Sequence, residues 1–402
     1  MKKIQLGTVI HSLNTGLNPR KFFQLNTPDA EFYYVTIKEM VDGKIVYNEN
    51  TDRLNEKALE LCNRRSNLEK GDVLFSGTGT IGKTVVLTET PTTWNIKEGV
   101  YTIKPKQDLL NSNYLSYVLS SESIKNNYMT NVAGGTVKSL KMADLEKTVI
   151  PLPPLLEQQK IVAELDAIQS AIDNKKQQLT LLNEAVKSEF VEMFGENPVE
   201  SGKWKVETLP ELCTTPITDG THQTPTYTTA EDGVPFISSK DVTSKKIDWS
   251  NIKYITSELH EKLYKRIAPQ KNDILLAKNG TTGVAALVED NRVFDIYVTL
   301  ALIRPDLSKV NPNYLLQVIN SDSCKNQFDS HLIGIGVPNL HLRDINCTKI
   351  PVPPLDLQNK FAAFVQQIDK SKFVLQQQLQ FIKKYVIMTC WRKICFYTMV
   401  AM

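Results

Sequence analysis

The chain repeats itself, with Ile150 answered 200 residues later by Ile350. The first copy reads IPLPPLLEQQKI over 150–161 and the second IPVPPLDLQNKF over 350–361, with seven of twelve positions shared (Ile, Pro, Pro, Pro, Leu, Gln, Lys). Upstream, Asn113-Tyr114-Leu115 returns as Asn313-Tyr314-Leu315, and Ile103-Lys104-Pro105 as Ile303-Arg304-Pro305. Ser123-Ile124-Lys125-Asn126 returns as Ser323-Cys324-Lys325-Asn326, while YVTIKEM at 34–40 and GDVLFSGTGTIG from Gly71 have shifted counterparts in FISSKDV at 236–242 and NDILLAKNGTTG from Asn272. A period this long is no solenoid unit, so each copy is expected to be a domain with its connector. At 402 residues, two domains of roughly 150 residues and their connectors account for the length.

The second constraint is periodicity after each proline-rich run. Pro154 and Pro354 stand where a first-turn proline is tolerated, because the N–H it lacks has no partner in a helix. From there apolar residues recur at alternating steps of four and three. The first series is Ile161, Leu165, Ile168, Ile172, Leu179, Leu182, Val186 and Met193; the second is Phe361, Val365, Ile368, Leu375, Leu379, Ile382 and Val386. A sustained period of 3.5 residues makes a coiled-coil seam, and Lys175 and Lys372 interrupt it once in each helix. Two repeat-related helices paired about a pseudo-two-fold axis run antiparallel. At about 33 residues each they would span roughly 50 Å, a ruler with one head at each end. The alternative is two separate helices, each lying on its own domain.

The heads read as mixed α/β. Strand-like runs at 32–37, 72–75, 84–87, 274–277 and 296–303 alternate with helical stretches near 54–65, 113–121 and 312–320. Glycine turns are expected at Gly77-Thr78-Gly79, Gly134-Gly135, Gly280 and Gly334-Ile335-Gly336. The linear boundaries that follow are a first head at 1–150, a central helix at 151–197, a second head at 198–350, and a distal helix with its tail at 351–402.

Gly77 to Thr84 spells GTGTIGKT and satisfies the phosphate-loop pattern. That chemistry requires a helix directly after the loop, whose N-terminal N–H groups hold the phosphates. Val85-Val86-Leu87-Thr88 is β-branched and runs into Thr90-Pro91, and the second copy lacks the Lys-Thr pair. The loop is therefore expected to join strand to strand. The chain has no glycine-rich dinucleotide fingerprint, no G-x-S-x-G elbow and no Asn-Pro-Pro-aromatic tetrapeptide; Asn197-Pro198-Val199-Glu200 comes nearest. Its six cysteines form no C-x-x-C pair and its five histidines are scattered, which argues against zinc. No apolar run reaches the roughly 18 residues of a membrane span, and no signal peptide is legible, so a reduced, cytoplasmic setting is expected. A net charge of +3 is too mild for non-specific coating of nucleic acid but leaves room for a local basic face.

Tandem heads that each end in a P-L-P-P-L-x-E-Q-x-x-I-like run entering a long helix resemble the specificity (S) subunit of Type I restriction–modification systems. TGLNPRKFF from Thr15, DGTHQTP from Asp219 and VPFISSKD from Val234 are similar to motifs of that family. The likeness reaches to about Lys384, and its most specific part is the duplicated PLPPLLEQQKI element. The resemblance implies a non-catalytic subunit of a DNA-modifying and restricting complex. Each head would be a target-recognition domain for one half of a bipartite double-stranded DNA site. The helix pair would space the heads and dock two modification (methyltransferase) subunits, joined by restriction subunits, with no membrane involved. S-adenosylmethionine, ATP and magnesium would be used by those partners, and no cofactor by this chain. A coiled-coil scaffold with two protein-binding heads is the alternative.

Base reading needs Asn, Gln, Arg, Lys, Ser or Thr on exposed loops, while phosphate contacts position the head. The candidates in the first head are Asn18, Arg20, Lys21, Lys38, Thr78, Thr80, Lys83 and Lys138. In the second they are Thr221, His222, Gln223, Lys240, Lys278, Asn279, Thr281, Thr282 and Arg343. Pro19 and Pro225 read as loop stiffeners. No metal ligand set is expected around His222. After Lys384 the repeat breaks: VKSEFVEMFG, which ends the first helix, is answered by a tail rich in Cys, Trp and Met. An altered reading frame or recombination scar is one reading of this tail, and a terminal turn docking on a partner is the other.

Overall fold

The computed structural model describes residues 2–130, 132, 138–242, 245–331 and 339–395, with the side chains of Lys21, His331, Lys383 and residues 385–395 outside the description. The turns expected at Gly134-Gly135 and Gly334-Ile335-Gly336 lie outside the described residues, as do 396–402. The chain divides into two compact units, Met1–Lys176 with Gln377–Met402, and Gln177–Gln376. Each unit therefore holds one head and about half of each long helix.

In both heads the first strand closes on the last. Lys2–Gln5 pairs antiparallel with Val149–Leu152, and Lys205–Thr208 with Lys349–Val352. The centre of the first head is a four-stranded sheet in the order Ile10–Thr15, Val100–Pro105, Val73–Ser76, Thr84–Val86. The second head repeats it with Thr218–Asp219, Leu300–Ile303, Ile274–Ala277 and Ala285–Leu287. Alternate residues of a strand face opposite sides. Val73 and Phe75 enter the core under the helices, and Leu74 enters a second core that includes Val35, Met40 and Ile96. Ile274 and Leu276 are separated from Leu275 and Ala277 in the same way. Burial on both faces explains why these strands read as continuous apolar runs.

The strand expected over 296–303 is two strands, Asp295–Ile296 and Leu300–Ile303. Between them Leu300 N–H donates to the Tyr297 carbonyl at 2.9 Å. Tyr297-Val298-Thr299 contains no turn-forming residue, so the break had no local signal. The phosphate-loop look-alike does join strand to strand: Val73–Ser76 and Thr84–Val86 pair antiparallel around it.

The repeated motifs meet one another in space. Gln158 and Gln358 are fully buried. Gln158 Oε1 accepts from Asn111 N–H at 2.8 Å, while Nε2 donates to the carbonyls of Leu109 at 2.9 Å and Pro153 at 2.8 Å. Gln358 makes the same three bonds to Asn311, Lys309 and Pro353. The buried hydroxyls of Tyr114 and Tyr314 donate to the carbonyls of Pro151 and Pro351. The Lys and Arg of the third motif hold buried carboxylates, Lys104 with Asp72 at 2.9 Å and Arg304 with Asp273 through two bonds of 2.9 and 2.7 Å. A buried polar group keeps its partner or loses stability, which is why these positions recur together.

From each clamp a long helix leaves, Leu155–Phe194 in the centre of the chain and Leu355–Cys395 at its end. In the second unit the end of the central helix packs on the start of the distal one, with Phe190 and Phe194 ring centroids 5.6 and 5.5 Å from Phe361. Phe194 also lies 5.1 Å from Tyr314, and Trp204 Nε1 donates to its carbonyl at 2.9 Å. In the first unit Lys175 Nζ donates to Gln378 Oε1 at 2.6 Å. Within each unit the pairing is antiparallel. Ile161, Leu165, Val186, Phe361 and Val365 are buried, and Ile168, Ile172, Leu179, Leu182, Ile368, Leu375, Leu379 and Ile382 are half-buried, as a seam requires. The distal helix continues past Lys384 to Cys395 without interruption.

Candidate nucleic-acid interface

Three loops converge at one end of each central sheet. The first follows Ile10–Thr15 or Thr218–Asp219. The second follows Val73–Ser76 or Ile274–Ala277, and the third is residues 138–141 or 339–341, just before the short helices Met142–Glu146 and Leu342–Asn346. Second and third are stitched by Gly79 N–H to Lys138 O and Leu140 N–H to Gly77 O, both 2.8 Å, and by Leu340 N–H to Lys278 O at 2.8 Å. Isolated bridges Thr78–Ser139 and Asn279–Asn339 occupy matching places. The first loop leaves its strand at Gly16 or Gly220. A Cβ on Gly16 would overlap the carbonyl of Ile96, and one on Gly220 that of Ile296. Glycine permits this close backbone approach, and both heads use it to aim the loop.

In the first head, Arg20, Lys38, Thr80 and Lys138 are exposed around these loops. Asn18 is committed locally: Oδ1 accepts from Arg20 N–H at 3.3 Å and Nδ2 donates to Glu98 at 2.7 Å, so it shapes the loop. Thr78 is half-buried at its bridge, and the Lys21 side chain lies outside the described residues. Lys83 is engaged within the head. It is half-buried, and its ammonium donates to the carbonyls of Ile37 at 3.0 Å and Met40 at 2.8 Å, which ties the 37–40 turn to the glycine loop.

In the second head, His222, Gln223, Lys240, Thr281 and Arg343 are exposed. Asn279 and Thr282 are half-buried, and Thr221 is buried, with its hydroxyl accepting from Gln223 N–H at 3.2 Å. Lys278 is also engaged within its head. It is 6% exposed, and its ammonium lies 2.5 Å from Asp219 Oδ2. The register explains the difference between heads. Lys278 stands where the first head has Gly77, and Asp219 where it has Thr15. Tyr101 covers Gly77 so closely that a Cβ there would meet its ring, whereas the matching Ala301 leaves room for a lysine chain. Burial works against ionisation at Asp219, but bonds from Lys278 and His222 outweigh it and hold the carboxyl below its ordinary value.

Some of what shapes these loops had no signal in sequence. Arg266, from a distant helix, donates to the carbonyls of Asp219 at 2.6 Å and Gly220 at 2.8 Å. Phe22 stands 59% exposed beside Arg20 while its neighbour Phe23 packs edge-on against Tyr34. Among the described residues no cluster of His, Cys, Asp or Glu could hold a metal ion, and no helix is long and apolar enough to cross a membrane. The arrangement is chemically suited to contact, with exposed amides, hydroxyls and cations on braced loops.

Comparison with known proteins agrees with this geometry. The family model described as the Type I restriction modification DNA specificity domain matches residues 1–184 and again 201–383. The Type I restriction enzyme MjaIX specificity subunit of Methanocaldococcus jannaschii is 26% identical over 371 residues, which cover 87% of this chain and 83% of that one. The EcoBI specificity subunit of Escherichia coli is 23% identical over 298 residues, 68% of this chain and 62% of the relative. The crystal structure of a Type I restriction-modification S subunit from M. genitalium superposes with a TM-score of 0.56 at 15% identity, covering 96% of this chain and 93% of that one, and so shares the fold. With both of its heads and most of each long helix inside the two matches, the chain belongs to the Type I restriction modification DNA specificity domain family.

Proposed function

We propose that each head reads one half of a bipartite duplex site, and that the chain is the DNA-reading, non-catalytic part of a Type I restriction–modification complex. The observation that carries this is the pair of matching three-loop surfaces, on one scaffold but with different side chains. Arg20 and Lys138 are exposed in the first head and His222, Gln223 and Arg343 in the second, while Thr80 and its counterpart Thr281 are common to both. Equal scaffolds with unequal readers predict two different half-sites, hence an asymmetric target. Exposed cations at the loop rims supply phosphate contacts, and the amides and hydroxyls supply base contacts. The paired helices set the gap between half-sites and dock two methyltransferase subunits, which bring S-adenosylmethionine, while restriction subunits bring ATP and magnesium chemistry. Family membership supports this reading over a protein-binding scaffold.

The test is to co-express the chain with its methyltransferase partner in a methylation-free host and map methyladenine at single-base resolution. An asymmetric two-part motif modified on both strands is expected. Soluble proteins with no modified motif would count against the reading.

A further inference from the structure

The loop that opens at Asp219 contains a device for holding one histidine in one tautomer. The Asp219 carboxylate is 7% exposed and Lys278 6%, with 2.5 Å between ammonium and Oδ2. The other oxygen, Oδ1, lies 3.2 Å from Nε2 of His222, whose side chain is 68% exposed. Arg266 holds the carbonyls of Asp219 and Gly220 and so keeps the carboxylate in place. An ionised carboxylate can only accept hydrogen bonds. The proton of a neutral His222 must therefore sit on Nε2, which leaves Nδ1 as a bare acceptor on the exposed side of the ring. The first head has Thr15 and Gly77 at the corresponding positions, so the device belongs to the second head alone.

We propose that His222 reads an exocyclic amino group, the N6 of adenine or the N4 of cytosine, through Nδ1 in the major groove, with Asp219 and Lys278 as positioning residues. Among the major-groove edges those two amines are the donors, while guanine O6 and thymine O4 are acceptors. An acceptor on a fixed ring therefore separates amino from keto bases at a single position. This inference rests on the DNA reading proposed above.

Asp219→Asn makes the test specific. Lys278 can only donate, so it takes the amide oxygen and leaves the amide N–H to face His222 Nε2. The imidazole proton then moves to Nδ1, and the exposed nitrogen becomes a donor. Full-length chain, assembled with its methyltransferase partner, is offered pools of duplexes in which each position of the two half-sites is varied in turn. Wild type is expected to favour an amino base by roughly tenfold at one position of one half-site. His222→Ala should lose that preference there and nowhere else. Asp219→Asn should turn it towards guanine or thymine, a change that loosening of the loop would not produce.

Retention of every base preference by His222→Ala would overturn the proposal, as would an Asp219→Asn complex that loses affinity evenly with no turn towards keto bases. If Asp219→Asn does not fold, His222→Ala decides alone, since that side chain is exposed. The unvaried half-site is the internal control. Wild type with no preference at either half would overturn the DNA reading itself, and this inference with it.

Discussion

Gln158 and Gln358 show what a single buried side chain does here. Each satisfies one N–H and two carbonyls at the point where a long helix leaves its head. Removing the amide leaves three backbone groups without partners, which costs about 3 kcal/mol. Gln158→Ala should accelerate amide hydrogen exchange in the first head and leave the second unchanged, and Gln358→Ala should do the reverse. Asp219 gives a pH dependence. Its folded pKa lies below the ordinary 3.8, so its stabilising contribution is complete above that value and is lost as pH falls through the folded one. The stability difference between wild type and Asp219→Asn in the second head, read by denaturant titration, should therefore shrink below about pH 4.

At the scale of elements, the long helices are anchored by different chemistry along their length. Their starts are clamped by glutamine, and the end of the central helix is sunk among aromatic rings. Phe194→Ala empties a fully buried site and should cost about 3–5 kcal/mol, seen as a lower unfolding midpoint of the second unit. Lys175 sits half-buried on the seam and bonds to Gln378. Such a polar group on a seam favours one register over its neighbours.

Taken as a whole, the molecule is two copies of one scaffold carrying unlike loops. Modularity has a direct consequence at Asn279, which bridges to Asn339 inside the second head only. Asn279→Ala should weaken recognition of one half-site by several-fold and leave the other unaltered, as measured by competition with duplexes mutated in either half. Equal loss on both halves would contradict independent heads.

Much of this was legible in the sequence, because duplication and the 3.5-residue seam are properties of spacing. The repeat announced two heads, the proline-rich runs marked where the long helices start, and the β-branched residues after Lys83 excluded a phosphate loop. Which charged residues face solvent was not legible. Lys83 and Lys278 read as surface cations in the sequence, and packing places carbonyls around one and Asp219 beside the other. These partners follow from the fold, because packing sets which groups come within reach of a lysine's ammonium. Asp219 lies 59 positions from Lys278, and the space that admits the lysine chain is opened by an alanine on a third strand, where the first head keeps a tyrosine.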